Sequence, residues 1–243
     1  MNKTIITFMT VSISLFSLFN AQTKAIGDTP LDLEAFNFNT GIAVLFPEKN
    51  KSKSYNNGYE INLNGDPERS IMVEKEATFN DKYGKDRKEN GYEYHQKNWS
   101  NIDEVASFQT QFFQKINVAT TLDGKIKVIS GLADELTKTD SEKLLKLLTN
   151  KYGAYRKLKS SWNEKVVIYE WTKKDRIVRF ATSYNDESNT MKIVVDQSKK
   201  TFTEGEKQPH FVGYLFIINP SLKSEIFGKM NSGDFVYLDD RKD

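Results

Sequence analysis

His95 and His210 are the two histidines of this 243-residue chain, and it contains no cysteine. That composition excludes a thiol nucleophile, a disulfide, a thiolate metal site and a cysteine-borne lipid anchor. A nucleophilic triad needs one of the two imidazoles, yet no Gly-x-Ser-x-Gly elbow offers a serine to it. Glu93 and His95 stand two residues apart, so on a strand they share a face and offer two zinc ligands. Neither His-x-x-x-His nor a cysteine pair supplies the rest of a set, and packed or solvated histidines are the simpler reading. No residue is assigned as catalytic, cofactor-binding or metal-ligating, and no cofactor is expected.

Two further groupings could work without a motif. Glycoside hydrolysis needs only two carboxylates at a defined separation, and Glu170, between Tyr169 and Trp171, is the alternative acid to consider. Alternation along a strand gives it a plainer role: Tyr169 and Trp171 face the core while Glu170 meets a cross-strand arginine such as Arg179. The second grouping is Tyr92, Tyr94 and Trp99, aromatic residues set among charged ones. They form the candidate partner-binding surface, suited to a protein or a glycan, and their competing role is to seal an edge of the core.

Charge narrows the partners. Thirty-five Lys+Arg against 33 Asp+Glu leave a formal net charge of +2, so no global field draws in nucleic acid, and none is expected as a partner. Phosphate-cradling glycine loops are absent. The basic cluster at 151–159 follows a predicted helix C-terminus, where cations satisfy carbonyls and anions are repelled. Its KYGAYRK (151–157) matches KYGKDRK (82–88) at five of seven positions, but the flanks differ, and in a lysine-rich chain coincidence is the simpler account.

The elements that position these residues begin with a leader. Lys3, then the apolar run Ile5 to Phe19, then small residues at Ala21 or Ala25, follow the order of a cleavable signal peptide. The expected organisation is a signal over 1–21, its cut at 25 being the alternative, and a single α+β domain over 22–243, two similar-sized halves dividing near 117 being the alternative. No membrane span is expected after signal removal, which places the protein outside the inner membrane, periplasmic or secreted. Hydrophobic content of 38% over a chain of this size supports one core without cross-links.

Beyond the leader, GIAVLFP (41–47) reads as a buried strand, and GYEINLN (58–64) alternates, turning at Gly65-Asp66-Pro67 into a second strand over 69–77. Residues 80–91 read as a charged loop and YEYHQKNW as a short strand. Ile102 to Ile116 repeats apolar residues at three and four behind Asn101-x-x-Glu104, predicting an amphipathic helix over 102–116. A hairpin follows at 118–130 with Asp123-Gly124 as its turn. A second helix is predicted over 140–152, opened by Thr139-x-x-Glu142 and closed by Gly153. Segments 164–172, 176–184 and 190–198 read as a second meander, and 210–219, apolar on both faces, as a central strand. Strands in antiparallel runs with two helices packed on one face define an α+β fold. An export signal without a catalytic signature predicts an exported, soluble, non-catalytic protein that binds a protein or glycan partner. A carboxylate-dependent hydrolase acting on a polysaccharide, or an inhibitor or immunity protein for a secreted enzyme or toxin, are the alternatives.

Overall fold

A computed structural model describes residues 24–80, 87–188, 190–196, 200–230 and 232–241. Its elements in chain order are β1 (Leu31–Asp32), α1 (Ile42–Leu45), β2 (Gly58–Leu63), β3 (Asp66–Phe79), β4 (Glu89–Gln96), β5 (Ala106–Phe108), β6 (Gln111–Phe113), β7 (Lys115–Thr120), β8 (Ile126–Leu136), α2 (Lys138–Tyr152), β9 (Arg156–Lys159), β10 (Val167–Thr172), β11 (Ile177–Asn185), β12 (Ile193–Asp196), β13 (Thr201–Glu204) and β14 (His210–Ile218). The expected signal segment lies outside the described residues up to residue 23, as does most of the repeat at 82–88.

Nine strands form one antiparallel sheet in the order β2-β3-β4-β7-β8-β14-β11-β10-β9, with β1-β5-β6 and β12-β13 as separate small sheets. Local chemistry sets the hairpins. Asn64 and Gly65, both at positive φ (54° and 73°), form the two-residue turn between β2 and β3, the type whose twist matches its strands. The β7–β8 connection is longer: Thr121 N–H bonds Lys125 O and Gly124 N–H bonds Thr121 O, with Gly124 alone in the left-handed region. Asn117 lies within β7, which pairs with β4 on one side and β8 on the other. The sheet therefore crosses residue 117 without a break.

Both faces of the sheet are covered, which is why β14 is apolar on both sides. On the first face α2 lays Leu144, Leu148 and Tyr152 against Val178, Phe180, Leu215 and Ile217, joined by Leu33, Phe36, Leu45 and Phe46 of the N-terminal segment. On the second face the 3-10 turns Pro220–Glu225 and Gly233–Tyr237 bring Ile226, Met230, Phe235 and Leu238 onto Val128, Ile168, Phe216 and Ile218. The fold is a sheet-rich α+β arrangement.

Three expectations are corrected. Residues 102–116 are not a helix: Gln109 turns the chain at φ 53°, β5 and β6 pair as a hairpin, and Lys115 and Ile116 already belong to β7. Aromatic and β-branched residues populate this stretch and fit strand pairing better than a helix. Asp103 accepts from Ser100 N–H (2.8 Å), so the acidic residues there serve a loop, not a cap. GIAVLFP is a single helical turn that buries Leu45 and Phe46; a continuous apolar run carries no period to tell strand from helix. The third strand of the second meander leaves the sheet, because β12 pairs only β13 and the place beside β11 goes to β14. Helix α2 forms, capped by Thr137 with Asp140 in a reciprocal box rather than by Thr139 and Glu142.

Candidate functional site

Strand β4 places Tyr92 and Tyr94 on the first face and Glu93 and His95 on the second, as alternation requires. The first face is the packed one. Tyr94 is 4% exposed and stacks on Phe46 at 4.8 Å between ring centroids, with Tyr59 at 6.1 Å. Burial pushes its phenol well above the usual tyrosine range. Tyr92 is half-buried beneath the Lys75 ammonium, 3.8 Å from the ring centroid, and Trp99 lies beyond the strand's end. Of the candidate surface Tyr92, Tyr94 and Trp99, Tyr94 is thus packed against the N-terminal segment carrying Phe46, Tyr92 is half-buried and Trp99 is exposed.

On the second face the C-terminal segment meets a buried polar cluster. Glu93 Oε2 accepts from His95 Nε2 (2.8 Å) and also from the Ser232 hydroxyl. Gly233 presses on the imidazole so closely that a β-carbon there would stand 2.9 Å from His95 Cε1. Asp234 bonds Asn117 Nδ2 (2.6 Å) and pairs with Lys115 Nζ (2.9 Å). This arrangement has the wrong order for nucleophilic catalysis, since the serine proton points at the carboxylate and not at the imidazole that would remove it. The adjoining cavity, about 190 Å³ and lined by Glu76, Thr78, Phe79, Arg87 and Lys229 as well as Glu93 and Ser232, is smaller than the about 300–1,000 Å³ typical of ligand pockets. Among the described residues no three His, Asp or Glu side chains converge to hold a metal.

Glu170 occupies a second polar cluster on the same face. It is 7% exposed and sits opposite Arg179 in register. Arg179 Nε donates to its Oε2 (2.8 Å) and Arg156 Nη2 to its Oε1 (2.8 Å). Arg179 reaches on to Asp240 (2.7 Å) and to the Leu238 carbonyl (2.6 Å). Glu170, the alternative acid, is thus placed between two guanidinium groups, with Arg179 lying between it and Asp240. Both clusters tie the C-terminal segment to the sheet, and sequence separation hid those ties, for Ser232 lies 139 residues from Glu93.

His210 stands apart, its Nε2 3.3 Å from Asp134 and its Nδ1 3.7 Å from Glu187. The two carboxylates meet opposite ring nitrogens and share no single point. Gln208 N–H (2.6 Å) and Lys192 Nζ (2.9 Å) converge on Glu187 and hold its carboxyl below the usual range.

The open surface is elsewhere. In the β12–β13 ribbon, Val194 pairs Thr203 and Val195 pairs Phe202. Met191, Ile193, Val194, Val195 and Phe202 are 52–83% exposed. Because successive strand residues point to opposite faces, the ribbon is apolar and open on both. The signal available in the sequence was the unalternating Ile193-Val194-Val195, which fits neither a half-buried strand nor a loop. No helix among the described residues is long and apolar enough to cross a membrane. No protein-family model, curated protein or solved structure matches the chain.

Proposed function

We propose that the chain is an exported, non-catalytic protein that binds a protein partner through the β12–β13 ribbon. The observation that carries this reading is the exposure of Ile193, Val194 and Val195 in succession, with Phe202 opposite Val195. Contiguous aliphatic surface of this kind marks an interaction site, and a two-stranded ribbon is marginal in water until something packs on it. Aliphatic side chains give sugar hydroxyls no hydrogen-bond partners, which favours protein over glycan. Among the described residues the ribbon's outer edges pair with no further strand, and hydrocarbon would leave their backbone groups unsatisfied, which disfavours lipid. Export rests on the basic, apolar, small order of residues 1–25. Ile26 is buried and its N–H bonds Leu45 O (3.1 Å); a cut after Ala25 would put a charged amine there, so the cut after Ala21 is favoured.

A benzophenone side chain replacing Phe202, illuminated in native cells, tests the proposal. It should give a protein adduct of one defined mass. A lipid adduct, or no adduct in cell-envelope and exterior fractions, would overturn it; polysaccharide turnover lost on Glu170→Gln would establish the hydrolase instead.

A further inference from the structure

Strand β9 is the outer strand of the nine-stranded sheet and pairs only with β10. Ser160 N–H bonds inward to Val166 O. Antiparallel alternation then turns Leu158 inward with it and directs the backbone groups of Lys157 and Lys159 to the open edge. The chain already adds a strand there. Ser161 N–H bonds Asp239 O (3.0 Å), Arg241 N–H bonds Lys159 O (2.8 Å), and Ser160 bridges Asp240 in antiparallel sense. Arg241 is the last described residue of that ladder, and among the described residues none bonds the N–H of Lys159 or either backbone group of Lys157.

Beside this edge lies a cavity of about 580 Å³ lined by Lys157, Leu158, Lys159, Ser160, Val166 and Arg241, with Glu164 its one acidic wall. Glu164 is spent on Arg241 (3.5 Å). Lys157 and Lys159 share a face by alternation and are both exposed, which makes that side of the edge positive. A second copy of the chain would bring the same cations opposite one another, which is destabilising. Lysines on an edge also guard against such self-pairing, but guarding needs no cavity.

We propose that the β9 edge is a second docking site, separate from the ribbon, and that it accepts an extended acidic segment of another protein as an added strand. Backbone pairing with Lys157 and Lys159 supplies affinity, and carboxylates at alternate positions of the segment meet the lysine ammonium groups.

The test titrates the full secreted chain, labelled for NMR, with a six-residue peptide of alternating valine and glutamate. Binding should protect the Lys157 and Lys159 amides from exchange. It should weaken roughly tenfold in the Lys157→Glu, Lys159→Glu double variant, and by a similar factor when the peptide's pairing amides are N-methylated. The methylated peptide keeps the result readable should the double variant fail to fold. No binding, binding that survives N-methylation, or equal binding of polygalacturonate without amide protection would overturn the proposal. The last would mark the edge as a general anion surface.

Discussion

The C-terminal segment and the β12–β13 ribbon invert the usual distribution of side chains. Beneath the C-terminal segment, charge is buried: Glu93, His95, Glu170 and Arg179 are nearly shielded from solvent. In the ribbon, aliphatic residues are open to it. A buried charge persists only where partners satisfy it, and here each carboxylate meets two or more donors, of which Ser232 belongs to the C-terminal segment and Arg179 reaches on to it. An open aliphatic surface has no such internal account. The contrast is one of partners: the buried charges have internal ones, and the ribbon's aliphatic side chains are left open.

The largest effect should come from unfastening the Glu170 cluster. Arg179→Leu leaves Glu170 buried with Arg156 alone, and denaturant unfolding should show a loss of about 3 kcal/mol, the low end for a broken buried pair because one cation remains. If stability is unchanged, the cluster is not a fastening. Gly233→Ala is expected to cost about 1–3 kcal/mol, since the residue sits at φ 53° with the His95 ring against the new methyl group. A thermal melt shows it.

The Glu187 clamp, which holds the root of the ribbon, adds a smaller and pH-dependent contribution. Its carboxyl lies below the usual range in the folded chain, so the unfolded chain binds the proton first. The stabilisation is fully present above the ordinary carboxylate range and is lost as pH falls through the depressed value. Lys192 and His210 face the group, with Asp134 on the other ring nitrogen of His210. Exchange of the Gln208 amide should rise across that transition in the native chain, and at all pH values in Glu187→Gln. The smallest stability effect belongs to the ribbon, where Val194→Lys should stay within about 0.5 kcal/mol of the parent, as open surface positions do.

Which parts were legible in the sequence follows from how far apart the partners lie. Helix α2 was readable because its period, its cap and Gly153 fall within a few residues, although Thr137 took the capping role that Thr139 matched equally by spacing. The β2–β3 hairpin and the facing of β4 were readable by alternation, and the Glu170–Arg179 pair because a short turn joins its strands. Residues 102–116 misled because Ala106, Phe113 and Ile116 satisfy a helical spacing that the pairing of Ala106 with Leu31 and Phe113, and of Ile116 with Gly131, overrides. Tyr94 misled because nothing nearby in sequence reveals Phe46 above it. Asp234 and Asn117 lie 117 residues apart, and no local pattern announces such a contact.

The account's central claim is that the ribbon, and not the polar cluster beneath the C-terminal segment, is the working surface. Photo-crosslinking from the Phe202 position, repeated with Val194→Lys and with Glu93→Gln, tests it most directly. Val194→Lys should abolish the protein adduct with the melting temperature unchanged, whereas Glu93→Gln should lower the melting temperature and keep the adduct. An adduct that survives Val194→Lys but disappears in a folded Glu93→Gln chain would contradict the claim.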